Sequence, residues 1–344
     1  SAEWIGIISA LVMSTKIIAP NLWGWLADYS GERLRVIRLG SFFAMLAFSG
    51  VFFQHSLVML LFSVFLYSFF WNAVLAQFEV ITLEHLHGQF EIYSRIRLWG
   101  SIGFIVAVIG LGYIFDLFSV ALFPILLIGG LFCIWFSSLL VSEKPNGEHL
   151  QADSVEGVFA LVRQPKVYLF FIICFFMQLS HGPYYTFFSL YLENHHYDSV
   201  AVGIFWAVGV LAEVLLFWFM HRLLPRWGLK CIMIVSLVLT TLRWLLIGLF
   251  PQYLSMLLLA QCLHAFSFGA FHAVAIEQVR RFFGGRLAGR GQALYSSLSF
   301  GAGSAIGALL SGYFWGAGSG VLFLLAAAVS MVATIAACFW KQEA

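Results

Sequence analysis

Basic residues alternate along this chain in a pattern typical of a protein that crosses a membrane many times. Of the 18 Lys and Arg, all but Lys16 and Arg243 lie in or beside every second gap between apolar stretches. They are Arg33, Arg35, Arg38, Arg95, Arg97, Lys144, Arg163, Lys166, Arg222, Arg226, Lys230, Arg280, Arg281, Arg286, Arg290 and Lys341. The alternate gaps hold no basic residue. The positive-inside rule produces this pattern and places the C-terminus in the cytoplasm.

Composition supports a chain that lies largely within lipid. Of the 344 residues, 62% are hydrophobic and 10% charged, against about 45–50% and about 25% in soluble domains. A helical span needs about 20 apolar residues. Eleven stretches qualify, at 4–26, 36–54, 57–84, 97–115, 118–141, 167–192, 200–222, 229–250, 253–280, 290–315 and 319–340. Their lengths favour helices over barrel strands, so we predict an all-α, multi-pass membrane protein.

The longest polar segment divides these stretches into two groups. We predict an N-terminal helix bundle over 1–142, a cytoplasmic central loop over 143–166 and a C-terminal six-helix bundle over 167–344. An odd number of spans with a cytoplasmic C-terminus places Ser1 outside. We therefore expect the N-terminal bundle to lack its first helix; a natural eleven-helix protein is the alternative.

Several function classes are disfavoured. The net charge of +2 follows from topology and indicates no nucleic-acid partner. The five cysteines lie in apolar stretches without metal-ligand spacing, and no phosphate-binding loop is present. We expect no cofactor, no bound metal and no enzymatic activity.

Residues 24–35 carry a recognisable motif, Gly-Trp-Leu-Ala-Asp-Tyr-Ser-Gly-Glu-Arg-Leu-Arg. It resembles the G-x-L-x-D-x-x-G-x-R-x-R signature of the major facilitator superfamily; the alternative is an ordinary polar turn. The resemblance implies the second to twelfth helices of a 12-helix, two-bundle fold. Within the motif we expect Gly24 to allow close helix approach, Gly31 to form a turn and Asp28 to pair with a basic residue. This gating motif consists of Gly24, Asp28, Gly31, Arg33 and Arg35.

Polar residues inside the apolar stretches are the candidates for function. An ionisable group at bilayer depth costs at least about 2.5–3.5 kcal/mol, so such groups usually mark pathways. We assign a substrate or proton pathway to Lys16, Asn72, Glu79, Arg97, Gln178, His181, Glu213, Arg243, His264 and His272.

In the first half, the helix with Asn72 and Glu79 and the segment opened by Arg97 resemble the lactose permease branch of the superfamily. That resemblance implies an acid–base pair of Glu79 with Arg97 facing a central cavity. The alternative is that both charges extend to the interface. The expected partner of Lys16 is Glu79, a group on the missing helix or a carboxylate of the substrate.

In the second half, the same resemblance implies a substrate-binding carboxylate at Glu213 and a proton-coupling arginine at Arg243. His264 matches the permease histidine, but Ser267 stands where the permease has its coupling glutamate. If protons drive transport, the carrier is then His264, Glu213 or Glu79. The alternative is that Glu213 serves helix packing and that its buried carboxyl group stays neutral.

The segment His181-Gly182-Pro183 should kink its helix at membrane depth, because proline removes a helix hydrogen bond. The kink then either lines a cavity or serves packing alone. His272 lies eight residues after His264, on the same helix face. The two histidines lack a third ligand with suitable spacing, so a metal site is not expected.

Residues 17–28, 93–101 and 180–188 are similar to the phenylpropionate permease group, a lactose-permease-like family. That resemblance implies a monomeric bacterial inner-membrane symporter that moves a small organic solute with protons by alternating access. An aromatic acid is one expected substrate; a sugar or nucleoside is the other. A non-transporting receptor or assembly partner on a carrier fold is the alternative function.

Overall fold

The computed structural model describes residues 1–53, 55–86, 90–142, 156–283 and 287–340, without the side chains of 73, 76, 83–84, 90–95, 97, 156–157, 159 and 288. The described backbone forms helices and no strand. The helices are α1 Ala2–Ser30, α2 Arg33–Ser49, α3 Leu57–His85, α4 Phe90–Leu117, α5 Phe123–Leu140, α6 Glu156–Val162, α7 Pro165–Ser180, α8 Gly182–Asn194, α9 Ser199–Leu249, α10 Leu254–Cys262, α11 Phe271–Phe282, α12 Ala288–Tyr295, α13 Ser304–Phe314 and α14 Ser319–Phe339.

The membrane-spanning character predicted from the sequence is confirmed. Among the described residues, 10 helical stretches are long and apolar enough to cross a bilayer. One of them, α9, has 51 residues and contains non-helical backbone at Gly228, where φ is 73°. Each arm of α9 is about as long as one span requires, so the described residues offer one apolar helical arm for each of the eleven predicted stretches. A short helix not predicted from the sequence, α6, lies inside the predicted loop 143–166.

Three membrane stretches are built from shorter helical pieces. The π-helical segment Ala265–Ala270 joins α10 to α11, and Ser296–Gly303 joins α12 to α13. A π-segment inserts an extra residue per turn and is frequent at functional sites. At the third break, α7 ends at Ser180 and α8 begins at Gly182, as the following proline predicts.

Close packing against α13 explains why the chain has glycine at the break between α7 and α8. A Cβ atom at Gly182 would lie 2.3 Å from the carbonyl carbon of Gly307. A Cβ at Gly307 would lie 2.6 Å from the carbonyl oxygen of Leu179. Only glycine at both positions lets α8 and α13 cross this closely, which supports the packing interpretation of the kink.

The chain forms two compact units. The first consists of Ser1–Ala10, Ser101–Leu117 and Asp153–Ala344, and the second of Leu11–Gly100 and Phe118–Ala152. Large buried side chains of the first unit include Phe170, Trp244 and Trp340. The division into two bundles at 142 and 167 stays a prediction.

Candidate functional site

Arg243 lies at the centre of a buried polar cluster in the first unit. Its side chain is fully buried, and its Nε donates to the carbonyl oxygen of Ala260 at 3.1 Å. One terminal nitrogen donates to Ser267 Oγ at 2.9 Å, and the other lies 3.4 Å from Gln261 Oε1. The fixed fork of a guanidinium suits three acceptors in different directions. The second arm of α9 thus holds its arginine against the α10 and π-helical segments.

Aromatic faces surround the same charge. The guanidinium carbon lies 4.1 Å from the ring centroid of Tyr184 and 4.6 Å from that of Trp244. Such cation–π contacts are worth about 2 kcal/mol or more when desolvated. Within the part of the chain that the structure describes, no carboxylate lies at ion-pair distance from Arg243. A buried cation is therefore stabilised here by neutral acceptors and rings.

A pair of titratable side chains, His264 and Glu213, lies beside this cluster. His264 Nε2 is 3.8 Å from Glu213 Oε2, and the two side chains are 8% and 18% exposed. The rings of His264 and Tyr184 have centroids 5.8 Å apart. The ring of Tyr185 lies next to that of Tyr184, with centroids 5.3 Å apart. A fixed positive charge and a pair able to hold a proton thus share one neighbourhood.

Two glycines set the distance between Glu213 and His264. A Cβ at Gly209, on the helix of Glu213, would lie 3.3 Å from the His264 ring. A Cβ at Gly269, in the π-helical segment, would lie 3.0 Å from Glu213 Cγ. Each glycine makes room for the titratable side chain of the facing helix. The pair therefore depends on the small residues around it.

Several buried polar atoms near the cluster have no hydrogen-bond partner among the described residues. They are Gln178 Oε1, His181 Nε2, Gln261 Nε2 and His264 Nδ1. Unsatisfied buried groups are costly and usually have a role. His181 itself is fully buried, with Nδ1 2.8 Å from the Met177 carbonyl and its ring edge-on to Trp244. These atoms could accept or donate hydrogen bonds to a polar ligand.

An aromatic stack continues from His264 along its helix. The ring of Phe268 lies nearly parallel to His264 at 5.5 Å and to His272 at 5.9 Å. His272 Nδ1 is 3.2 Å from the Tyr295 hydroxyl. The predicted common face of His264 and His272 is confirmed, and the phenylalanine separates the two imidazoles.

In the second unit, the predicted residues have separate environments. Asn72 donates to Thr15 Oγ1 at 2.7 Å and links α3 to α1. Lys16, next along α1, is half-buried and forms no hydrogen bond or ion pair with a described side chain. Glu79 is half-buried as well. Its predicted pairing with Arg97 stays a prediction, since the Arg97 side chain lies outside the described residues.

The gating motif folds into a compact polar turn of the second unit. Arg33 forms an ion pair with Asp28 and donates to Gln77 Oε1 at 2.9 Å. Arg35 pairs with Glu32 at 2.8 Å. Gly31 has a φ of 68°, so the expected turn is present. Among the described residues, the atom nearest to a Cβ at Gly24 would be Gln77 Nε2 at 3.7 Å, an ordinary contact, so these residues show no close helix approach there.

The structure thus brings four predicted residues together, His181, Glu213, Arg243 and His264, in the first unit. Gln178 contributes an unpaired buried oxygen, and His272 lies two helical turns from His264. Sequence reasoning missed Gln261 and Trp244, which contact Arg243. A glutamine inside the apolar stretch 253–262 is the signal that would have found the first.

Comparison with known proteins assigns the family. The profile of the MFS_1 like family matches residues 1–325. The chain is 29% identical over 238 residues to the probable 3-phenylpropionic acid transporter of Escherichia coli (strain K12), and this match covers 68% of this chain and 62% of that protein. It is 26% identical over 343 residues to the maltose permease of Geobacillus stearothermophilus, covering 94% of this chain and 82% of that one.

Solved structures agree at the level of the fold. A point mutant of the nucleoside transporter NupG superposes with a TM-score of 0.88 at 18% identity, over 99% of this chain and 92% of NupG. The POT family transporter PepTSo gives a TM-score of 0.74 at 12% identity, over 98% and 88%. The chain is therefore a multi-pass membrane protein of the MFS_1 like family, within the major facilitator superfamily.

Proposed function

We propose that this protein couples the movement of a small organic solute to that of a proton, by alternating access. The observation that carries the proposal is the buried arrangement of Arg243 beside the pair His264 and Glu213. Superfamily membership supports solute transport. The cluster adds groups that can hold a proton next to a charge that cannot be lost, because a guanidinium stays protonated.

The coupling follows from charge balance in a medium of low dielectric. With Glu213 ionised, its negative charge offsets the nearby charge of Arg243. Protonation of Glu213 removes that offset and leaves the neighbourhood positive. Because charges interact strongly away from water, a negatively charged solute then binds more tightly. Binding of the proton and of an anionic solute therefore favour each other, as any linked equilibrium requires.

This reasoning favours an organic anion, such as an aromatic carboxylic acid, as the solute. The similarity to the probable 3-phenylpropionic acid transporter supports the same choice. A sugar or a nucleoside is the second candidate, supported by the similarity to the maltose permease and by the fold of NupG. A neutral solute would gain little from the positive neighbourhood, so the two candidates differ in their expected dependence on Glu213.

We further propose that the protein acts as a monomer in a bacterial inner membrane with its C-terminus in the cytoplasm. The alternation of basic and uncharged gaps supports this orientation. The lipid bilayer, the solute and protons are then its partners.

The test is uptake by proteoliposomes that carry a proton gradient. Labelled 3-phenylpropionate, maltose and uridine are each offered with and without a protonophore. We expect accumulation of 3-phenylpropionate that collapses with the protonophore. Accumulation that survives the protonophore would contradict proton coupling. Saturable binding without flux of any of the three would favour the receptor function instead.

A further inference from the structure

Asp116, at the end of α4, caps a helix from which it is distant in sequence. One carboxylate oxygen accepts from the backbone N–H of Ser199 at 3.0 Å, and the other accepts from that of Val200 at 3.0 Å. These N–H groups open α9 and have no partner within it. They also carry the positive end of the helix dipole, which favours a carboxylate. Two directed, charge-assisted hydrogen bonds thus connect α4 to α9.

The helix start does not need Asp116 for its own capping. Asp198, directly before α9, already accepts from the backbone N–H of Ala201 at 2.7 Å. A local aspartate of this kind is the usual N-cap. Asp116 therefore adds an attachment between two helices, and α9 can form without it.

Below this attachment the two backbones are in close contact at glycine positions. A Cβ at Gly112 would lie 2.5 Å from the Ser199 carbonyl oxygen, and a Cβ at Gly203 would lie 2.4 Å from that of Val108. A Cβ at Gly110, half a turn away on α4, would meet nothing within 4 Å. The close contacts thus lie on the face of α4 that meets α9. A contact between backbones at glycine can separate and rejoin without moving a side chain at those positions.

One of the two helices attached in this way, α4, continues from one compact unit into the other, whereas α9 lies wholly in the first. Residues 101–117 of α4 belong to the first unit and residues 90–100 to the second. Likewise, α1 changes unit after Ala10. Its start also packs on glycine, since a Cβ at Gly6 would lie 2.8 Å from the Ala308 carbonyl oxygen of α13. The same type of contact therefore recurs where α1 enters the first unit.

We propose that Asp116, with the glycine crossing beneath it, is a releasable latch between the end of α4 and the start of α9. The inference rests on the proposed transport cycle, in which contacts formed in one conformation must break in another. Water can replace the carboxylate at the exposed N–H groups, so the latch opens at low cost. In the conformation described here it is closed.

A cysteine reporter tests the latch without any substrate. The four exposed cysteines, Cys133, Cys231, Cys262 and Cys338, are replaced and the buried Cys174 is kept. Val108→Cys, beside the crossing, is the reporter, and its rate of reaction with an impermeant maleimide is measured in membrane fragments open on both sides. We expect Asp116→Asn to raise this rate by about tenfold, since a hydrogen bond to a charged group contributes roughly that factor or more.

Two matched pairs give the comparison its controls. Asp198→Asn alters a carboxylate at the same helix end but should leave the rate unchanged, because asparagine is an equally good N-cap. Gly112→Ala should raise the rate as Asp116→Asn does, whereas Gly110→Ala should not. Cys174 should stay unreactive to N-ethylmaleimide in all four variants, which reports an intact fold.

Three results would overturn the latch. The first is a wild-type labelling rate in Asp116→Asn with Cys174 still unreactive. The second is an equal increase in Asp198→Asn, which would indicate general fraying of α9. The third is exposure of Cys174 in both Asp116→Asn and Gly112→Ala, which would make the contact a structural support. Failure to transport 3-phenylpropionate would count against the proposed function and leave the labelling result as it stands.

Discussion

A charge in the first compact unit and an ion pair in the second are held in opposite ways. In the first, Arg243 is fully buried and contacts neutral acceptors and aromatic rings. In the second, the ion pair of Arg33 with Asp28 is accessible to solvent, with side chains 20% and 63% exposed. A buried charge must keep its partners because water cannot replace them. An exposed pair can break and re-form, which suits a gate. The comparison therefore separates a fixed electrostatic site from a movable contact.

The largest effect is expected from removing the fixed charge. Arg243→Gln takes away a cation together with its hydrogen bonds to Ser267 Oγ and the Ala260 carbonyl oxygen. Gln261 Oε1 keeps the bond that it accepts from the Tyr184 hydroxyl. Hydrogen bonds to charged groups are worth about 1.5–3 kcal/mol each, so we expect uptake of 3-phenylpropionate to fall by about 100-fold or more. Initial rates in proteoliposomes, normalised to inserted protein, measure the loss.

Arg243→Lys is the matched control for charge. Lysine keeps the cation but loses the planar fork that reaches three acceptors at once. We expect a partial loss of uptake, smaller than in Arg243→Gln. Equal uptake in Arg243→Gln and wild type would show that Arg243 is not part of the transport site. The contrast between a fixed charge in the first unit and a movable ion pair in the second would then fail.

The next effect concerns proton coupling. Glu213→Gln keeps the shape of the side chain and fixes it in a neutral state, so we expect exchange of 3-phenylpropionate to persist while uphill accumulation is lost. The apparent affinity should also stop varying with pH. Counterflow and gradient-driven uptake, measured on the same vesicles at mildly acidic and mildly alkaline pH, separate the two activities.

Glu277→Gln serves as the control for that substitution. Glu277 pairs with Arg280 and Arg281 on the surface of α11, at 2.7 Å and 3.0 Å. Such pairs contribute little, so accumulation should be kept. If Glu213→Gln still accumulates the solute, the proton carrier is His264 or Glu79 instead.

A third prediction contrasts glycines from the two units. Gly307→Ala places a Cβ 2.6 Å from a carbonyl oxygen of α7, and backbone cannot move aside as a side chain can. Overpacking of this kind costs about 1–3 kcal/mol. Gly24→Ala in the second unit meets only an ordinary contact at 3.7 Å. Thermal unfolding in detergent should show a clearly lower midpoint for Gly307→Ala and almost no change for Gly24→Ala.

The sequence predicts the helices well because hydropathy and basic residues are one-dimensional signals. The predicted span 319–340 and the observed α14, Ser319–Phe339, differ by one residue. The glycine turn of the motif and the break before Pro183 also follow from local chemistry. Local rules could not reveal α6, which lies in a polar segment without a long apolar stretch.

The site was predicted only in part, because its contacts join residues far apart in the chain. Arg243 and Glu213 are identifiable as charges within apolar stretches. That Ser267 accepts from Arg243 follows only once α9 packs on the π-helical segment. Asp116 looks like an ordinary loop residue in the sequence, and its bond to Ser199 spans 83 positions.

The smallest effect is expected at the exposed pair of the second unit. Asp28→Asn removes the charge that Arg33 pairs with, while Arg33 keeps its hydrogen bond to Gln77. Exposed pairs contribute about 0.2–1 kcal/mol and are screened by salt, so we expect exchange to slow by only a few fold with ligand affinity nearly intact. Exchange rates at low and high salt, beside equilibrium binding of 3-phenylpropionate, measure both quantities. Glu32→Gln, which loses the pair with Arg35 in the same turn, is the control for general surface charge. A large loss of affinity in Asp28→Asn would show that this turn acts on the binding site, and the division between a fixed site and a movable contact would fail.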